Sequence, residues 1–176
     1  MNLITANRRH FEDLALGETI VLGSVTVTKE MIFEYAREFD PLPFHLDEAA
    51  AKKSLLGGLA ASGWQTGALT LKMLGDGFLN HIASAGGLGF SKLKWKKPVM
   101  VDDTISATAT IAALRRSAHH PERGIVTLDL VVTNQNGVEV MTMSLANLVE
   151  AREAPPPDMA TPEQPYDVPA GEEHRP

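Results

Sequence analysis

The chain has 176 residues, 44% of them apolar, with 16 Lys and Arg against 22 Asp and Glu, a formal net charge of -6 and no cysteine. That length and composition suit one domain with a sizeable core; an acidic balance without a basic patch excludes a nucleic-acid footprint, and the missing thiols exclude disulfides and thiolate nucleophiles or metal ligands. No stretch reaches the roughly 20 apolar residues of a membrane span, and Arg8 and Arg9 have no apolar run behind them as a secretory signal requires, so a cytoplasmic protein is the expectation.

Thr19 to Val27 is β-branched and predicts a first strand. Thr28 can cap a helix whose Ile32, Tyr35, Ala36 and Phe39 recur at the spacing of one buried face. Pro41 ends that helix near Asp40, and Pro43 likewise forces Leu42 out of the helical region. Asp40 and His45 are therefore expected on a stiff, extended loop. Asp47 and Glu48 open a short helix that Lys52 and Lys53 close, the charge order favoured by the helix dipole.

From Ser62 to Leu74 the residues Trp64, Ala68, Leu69, Leu71, Met73 and Leu74 leave only Gln65, Thr66, Thr70 and Lys72 as polar relief. A helix apolar on most sides is expected to be central. Gly75 and Gly77 mark its bend or end, and residues 85–89 read as a loop.

Period-two alternation then dominates: Leu93 and Trp95 against Lys92, Lys94 and Lys96, then Ile105 to Ala113, then Val126 to Val132. Asn136 and Gly137 form a hairpin turn into the last strand, Val138 to Val149. One early helix followed by antiparallel strands predicts an α+β domain over residues 1–151 with the helix packed on the sheet. The Pro-rich, acidic residues 152–176 are expected to form a flexible tail outside it. Uncovered sheet edges predict a homodimer or higher homo-oligomer.

Asp40 and His45 lie five residues apart and make a plausible acid-base pair. Gly57 and Gly58 lead to Gly63 at the start of the central helix, where an unpaired N–H is suited to an oxyanion. The alternative is structural: Asp40 ends one helix, and His45 caps the next. A metal site at Asp40, His45 and Asp47 lacks a second histidine at helical spacing, so no metal is expected. The lysines near position 95 form either a solvated strand face or a contact for phosphates. Trp64 and Gln65 line either a ligand pocket or the core. His10, His81, His119, His120 and His174 receive no role.

These residues resemble the MaoC-like dehydratases, which include the R-specific enoyl-CoA hydratases, of the hot-dog fold. That family's pattern is Asp, any residue, Asn, Pro, an aliphatic residue, then His; Asp40, Pro43 and His45 match it, while Leu42 and Phe44 depart from it. Residues 57–63 resemble the glycine-rich approach to the family's central helix, with Ser62 where many members have His, and residues 93–104 resemble its strand pair. The resemblance implies a sheet wrapped around a central helix. It also implies a hydro-lyase that reversibly hydrates a 2-enoyl thioester, with Asp40 and His45 sharing acid-base work through one bound water. Gly63 N–H would bind the oxyanion, and Ser62, Trp64 and Phe44 would meet the substrate, an acyl-CoA or similar thioester, with CoA as part of the substrate and no separate cofactor. A non-catalytic acyl-CoA-binding subunit and a thioesterase of the same fold remain alternatives.

Overall fold

The structure, a computed structural model, describes residues 8–118 and 120–152. Five strands, β1 (Thr19–Thr26), β2 (Ser84–Trp95), β3 (Thr104–Arg116), β4 (Arg123–Thr133) and β5 (Glu139–Glu150), form one antiparallel sheet in the order β1-β3-β4-β5-β2. The period-two reading holds on the central strands except at Ala113, which is exposed where the register with β4 shifts after Ile111. Ile105, Ala107, Ala109 and Ile111 of β3 and Val126, Leu128, Leu130 and Val132 of β4 are all buried in one core cluster. The turn between β4 and β5 is where the sequence places it: Gly137 takes a φ of 73°, and Asn134 Oδ1 accepts the N–H groups of Asn136 and Val138, each at 3.1 Å.

Strand β2 starts earlier than expected. Residues 85–89 are strand, not loop, with Gly86 and Gly89 at φ of 137° and 138° and the register with β5 shifting beside each. Such bulges need the conformational freedom of glycine and break the alternation by which a strand is recognised.

Helices α1 (Lys29–Phe39), α2 (Pro43–Leu46), α3 (Glu48–Lys53) and α4 (Gly63–Gly77) lie in the N-terminal half. Thr28 caps α1 as expected, accepting the Met31 N–H at 3.3 Å. The buried face of α1 differs from the reading. Ile32 and Ala36 are buried, but Phe39 is 64% exposed and Tyr35 half-buried, while Phe33 packs on the core instead. The inward stripe turns by one residue, and the last turn, residues 37–39, faces out.

A second correction concerns the loop after α1. Leu42 is extended, as a residue before proline must be, but Pro43 occupies the first position of α2 and starts a helical turn that carries His45. Proline suits that position because the N–H it lacks would have had no helical partner. Asp47 then caps α3, its Oδ1 accepting the Ala50 N–H at 2.7 Å. Asp47→Ala is expected to destabilise the chain by about 1 kcal/mol, read as a lower urea midpoint with an unchanged slope.

Helix α4 spans the width of the sheet. Its first residue, Gly63, meets Trp95 on edge strand β2, and its last, Gly77, comes so close to Leu22 on edge strand β1 that an added Cβ would sit 2.8 Å from the Leu22 backbone. A helix laid across a curved antiparallel sheet is the hot-dog arrangement of an α+β domain. The buried side of α4 is not its most apolar one. Gln65, Thr66, Thr70, Met73 and Leu74 face inward, whereas Trp64, Ala68 and Leu71 are exposed. The inward polar groups are bonded to backbone: Gln65 Nε2 to Met31 O at 2.7 Å, Thr66 Oγ1 to Ser62 O at 3.3 Å, Thr70 Oγ1 to Thr66 O at 2.8 Å. Those bonds remove most of the cost of burying them.

The two ends of the described chain are tied together. Arg152 grips Asp13 with two bonds of 2.6 and 2.8 Å, and its backbone N–H reaches Glu12. The Arg152 bond holds the Asp13 carboxyl down at about 2. Because that carboxyl is depressed in the folded state, its contribution is complete above the ordinary carboxylate range and fades as pH falls toward about 2. The expected tail lies, apart from Arg152, outside the described residues. Among those described, no helix is long and apolar enough to cross a membrane.

Candidate active site

Three elements converge on His45. Its ring is buried, with 7% of the side chain exposed, on the single turn of α2. Nδ1 lies 2.8 Å from the Ala60 carbonyl oxygen. A carbonyl only accepts, so Nδ1 carries the proton, and in the neutral ring Nε2 presents a lone pair. The Ala60 carbonyl is itself fixed. Ala61 N–H bonds Val99 O at 2.8 Å and Val101 N–H bonds Leu59 O at 3.0 Å, pinning residues 59–61 to the segment after β2.

Nε2 faces Asp40 Oδ2 at 3.6 Å. Asp40 ends α1, its N–H bonded to Ala36 O at 3.1 Å, and its side chain is 25% exposed. At 3.6 Å the two atoms are too far apart for a direct hydrogen bond, yet a water can lie within bonding distance of both. The Tyr35 phenol, one turn earlier on α1, is raised above its ordinary value first by burial and then by the Asp40 charge.

His45 forms one wall of a cleft of about 360 Å³, with Phe44, Gly63, Thr66, Trp95 and Lys97 among its other walls. That volume suits the reacting end of a small-molecule ligand. Phe44 stands edge-on to the His45 ring, centroids 4.6 Å apart. Gly63 is the first residue of α4, and its N–H has no hydrogen-bond partner among the described residues. A free donor at the positive end of a 15-residue helix thus sits in the same cleft as the imidazole.

The structure therefore brings His45, Phe44 and Gly63 together at the cleft, with Asp40 beside the His45 ring but not among the lining residues. Ser62 and Trp64 are elsewhere. Ser62 is buried beneath the helix start, its Oγ accepting the Trp64 N–H at 3.2 Å, and Trp64 is 53% exposed against Phe90 and Trp95. Gln65 does not line the cleft either; its Oε1 is buried without a partner among the described residues. Gly57, at φ 73°, makes a turn, and Gly58 packs on Met100. His10, His81 and His120 do not line the cleft, and His119 and His174 lie outside the described residues. Among the described residues no group of three metal-ligating side chains occurs. Several cleft residues were not anticipated, Thr66 and Trp95 among them. Thr66 reads in sequence as polar relief on an apolar helix, and Trp95 as one member of a strand alternation.

Residues 13–134 match the family described as MaoC like domain. The chain belongs to the MaoC-like family. A MaoC-like dehydratase from Rhodospirillum rubrum is 38% identical, with a TM-score of 0.73 over 82% of this chain and 98% of that one. The (R)-hydratase from A. caviae involved in PHA biosynthesis is 27% identical, with a TM-score of 0.65 over 77% of this chain and 97% of its own. YdeM of Bacillus subtilis (strain 168), a protein described as uncharacterized, is 31% identical over 79% of this chain and 97% of its own. The matched region contains the cleft from Phe44 through Gly63 to Val99, and Asp40 beside it.

Proposed function

We propose that this MaoC-like protein reversibly adds water to a 2-enoyl thioester, carried on CoA, to give the 3-hydroxyacyl thioester. One observation carries the reading: His45, whose Nε2 stands 3.6 Å from Asp40 Oδ2, lines a cleft that also holds the unpaired Gly63 N–H. A water between two acceptors gives each a hydrogen and turns its oxygen lone pair outward, toward the β-carbon of a bound enoyl group. His45 takes one proton as the C–O bond forms, and electrons shift through the double bond onto the thioester oxygen. Asp40 stabilises the resulting imidazolium, and Gly63 N–H stabilises the enolate oxygen. The imidazolium then returns its proton to the α-carbon, leaving the protein as it began. The same steps reversed remove water, and no separate cofactor takes part. The (R)-hydratase relative supports this reaction class.

A second copy of the chain is part of the proposal. Among the described residues strand β2 leaves one edge of the sheet unpaired, and Phe90 and Trp95 on it, with Trp64 and Leu71 on α4, are each between 46% and 54% exposed. An open edge beside exposed aromatic rings is what a homodimer would cover.

Product analysis tests the reading. Incubation with a short 2-enoyl-CoA is expected to yield the 3-hydroxyacyl-CoA. Free CoA would indicate thioester cleavage, and tight binding with neither product would indicate a carrier subunit.

A further inference from the structure

We propose that Trp95 is a positioning residue for the oxyanion donor, and that position 63 is glycine to make room for the Trp95 indole. The inference rests on the hydration reading above and extends it to a residue of the edge strand.

Gly63 does not need to be glycine for its backbone. Its φ is outside the left-handed range, unlike Gly57 or Gly137, and the first position of a helix accepts most residues. What excludes a side chain there is the indole. A Cβ on Gly63 would lie 2.7 Å from Trp95 Cε2, 2.8 Å from Nε1 and 3.0 Å from Cδ2, nearer than carbon or nitrogen atoms approach without displacement. The contact also carries a hydrogen bond, because Trp95 Nε1–H donates to the Gly63 carbonyl oxygen at 2.8 Å. That oxygen has a second lone pair beyond the one its helical bond uses, so the indole adds a bond rather than replacing one.

Trp95 is held on its other sides. It pairs with Met141 across the sheet, the next N–H, of Lys96, bonds Val140 O at 2.8 Å, and Trp64 stands edge-on with centroids 5.3 Å apart. The indole thus connects the sheet edge to the first turn of α4 and fixes the peptide that follows Gly63. The preceding peptide is held as well, because the Ser62 carbonyl, coplanar with the Gly63 N–H, accepts the Thr66 N–H at 3.0 Å and the Thr66 hydroxyl at 3.3 Å, so the direction of the Gly63 N–H is set from both sides. A donor fixed in place before reaction stabilises developing charge better than one that must reorient.

Trp95→Phe keeps an aromatic ring at the site and deletes the Nε1–H. It is expected to lower kcat roughly three- to tenfold, the worth of one hydrogen bond, with KM changed less than about twofold, since the substrate ground state does not use that bond. Gly63→Ala is expected to lower kcat by at least about tenfold beside the indole, but less than about twofold in a Trp95→Ala background, where its Cβ has space. Unchanged kcat in Trp95→Phe, or equal damage from Gly63→Ala in both backgrounds, would overturn the proposal. Turnover is not the only readout. The chain has two tryptophans; in a proton-nitrogen spectrum the Trp95 indole N–H is expected to exchange with solvent more slowly than that of Trp64, and to lose this protection in Gly63→Ala. A Trp95 indole exchanging as fast as Trp64 would refute the clamp even in an active enzyme. Absent wild-type turnover beside a protected Trp95 indole would sink the hydration reading and leave the clamp standing.

Discussion

His45→Ala is expected to lower turnover of a 2-enoyl-CoA by roughly 10²- to 10⁴-fold, the range that general acid-base catalysis contributes. The imidazole has no substitute in the cleft. Its Nε2 lone pair exists because Nδ1–H is committed to the Ala60 carbonyl, and that carbonyl is pinned to Val99 and Val101 by its neighbours. Removing the ring removes the proton acceptor and leaves the Ala60 oxygen facing a void. KM should change little, because the ring acts on water rather than on the acyl group, so the loss appears in kcat. Asp40→Asn tests the other half. Its amide keeps a polar group near Nε2 but loses the negative charge that would stabilise the imidazolium 3.6 Å away. Its kcat should fall as well, and the two losses should not add in the double variant, since in the proposed reaction both groups act on one water. Fully additive losses would mean that the two side chains act separately.

The second large effect concerns a backbone donor, which no side-chain deletion can reach. Gly63→Pro removes the N–H and Gly63→Ala keeps it, and proline is otherwise at ease at the first position of a helix. Either substitution beside Trp95 would collide with the indole, so the comparison belongs in a Trp95→Ala background. There, the proline variant is expected to turn over roughly 10²- to 10³-fold more slowly than the alanine variant, the usual cost of one oxyanion donor. Far-ultraviolet circular dichroism should match for the two. Equal rates would mean that the oxyanion is bound elsewhere.

Much of this geometry is legible in the chain because it is local. The Thr28 cap, the stop at Pro41, the Asp47 cap and the alternation along β3 and β4 each depend on residues a few positions apart. The spacing of Asp40, Pro43 and His45 points to the pair, and the free N–H at Gly63 follows from a helix start. The features that escape are those in which one residue serves two elements or two distant segments meet. Pro43 reads as a breaker, yet it also starts the turn that carries His45. Gly86 and Gly89 read as loop because their bulges hide a strand. Phe39 fits a buried face by spacing, but the core turns away by one residue. Trp95 and Gly63 are 32 positions apart, and neither residue alone signals that the indole occupies the place of a missing side chain. Ser62 and Trp64 belong by sequence to the cleft, yet the start of α4 turns one into a cap and the other outward.

In the proposed reaction the water held between Asp40 and His45 becomes part of the product. Reaction of the wild-type protein with a short 2-enoyl-CoA in oxygen-18 water, followed by mass spectrometry of the acyl fragment, tests it directly. The heavy oxygen is expected in the new 3-hydroxyl, with the thioester oxygen unlabelled and the CoA still attached. Label in a released carboxylate, with the double bond intact, would rule out hydration and indicate thioester cleavage.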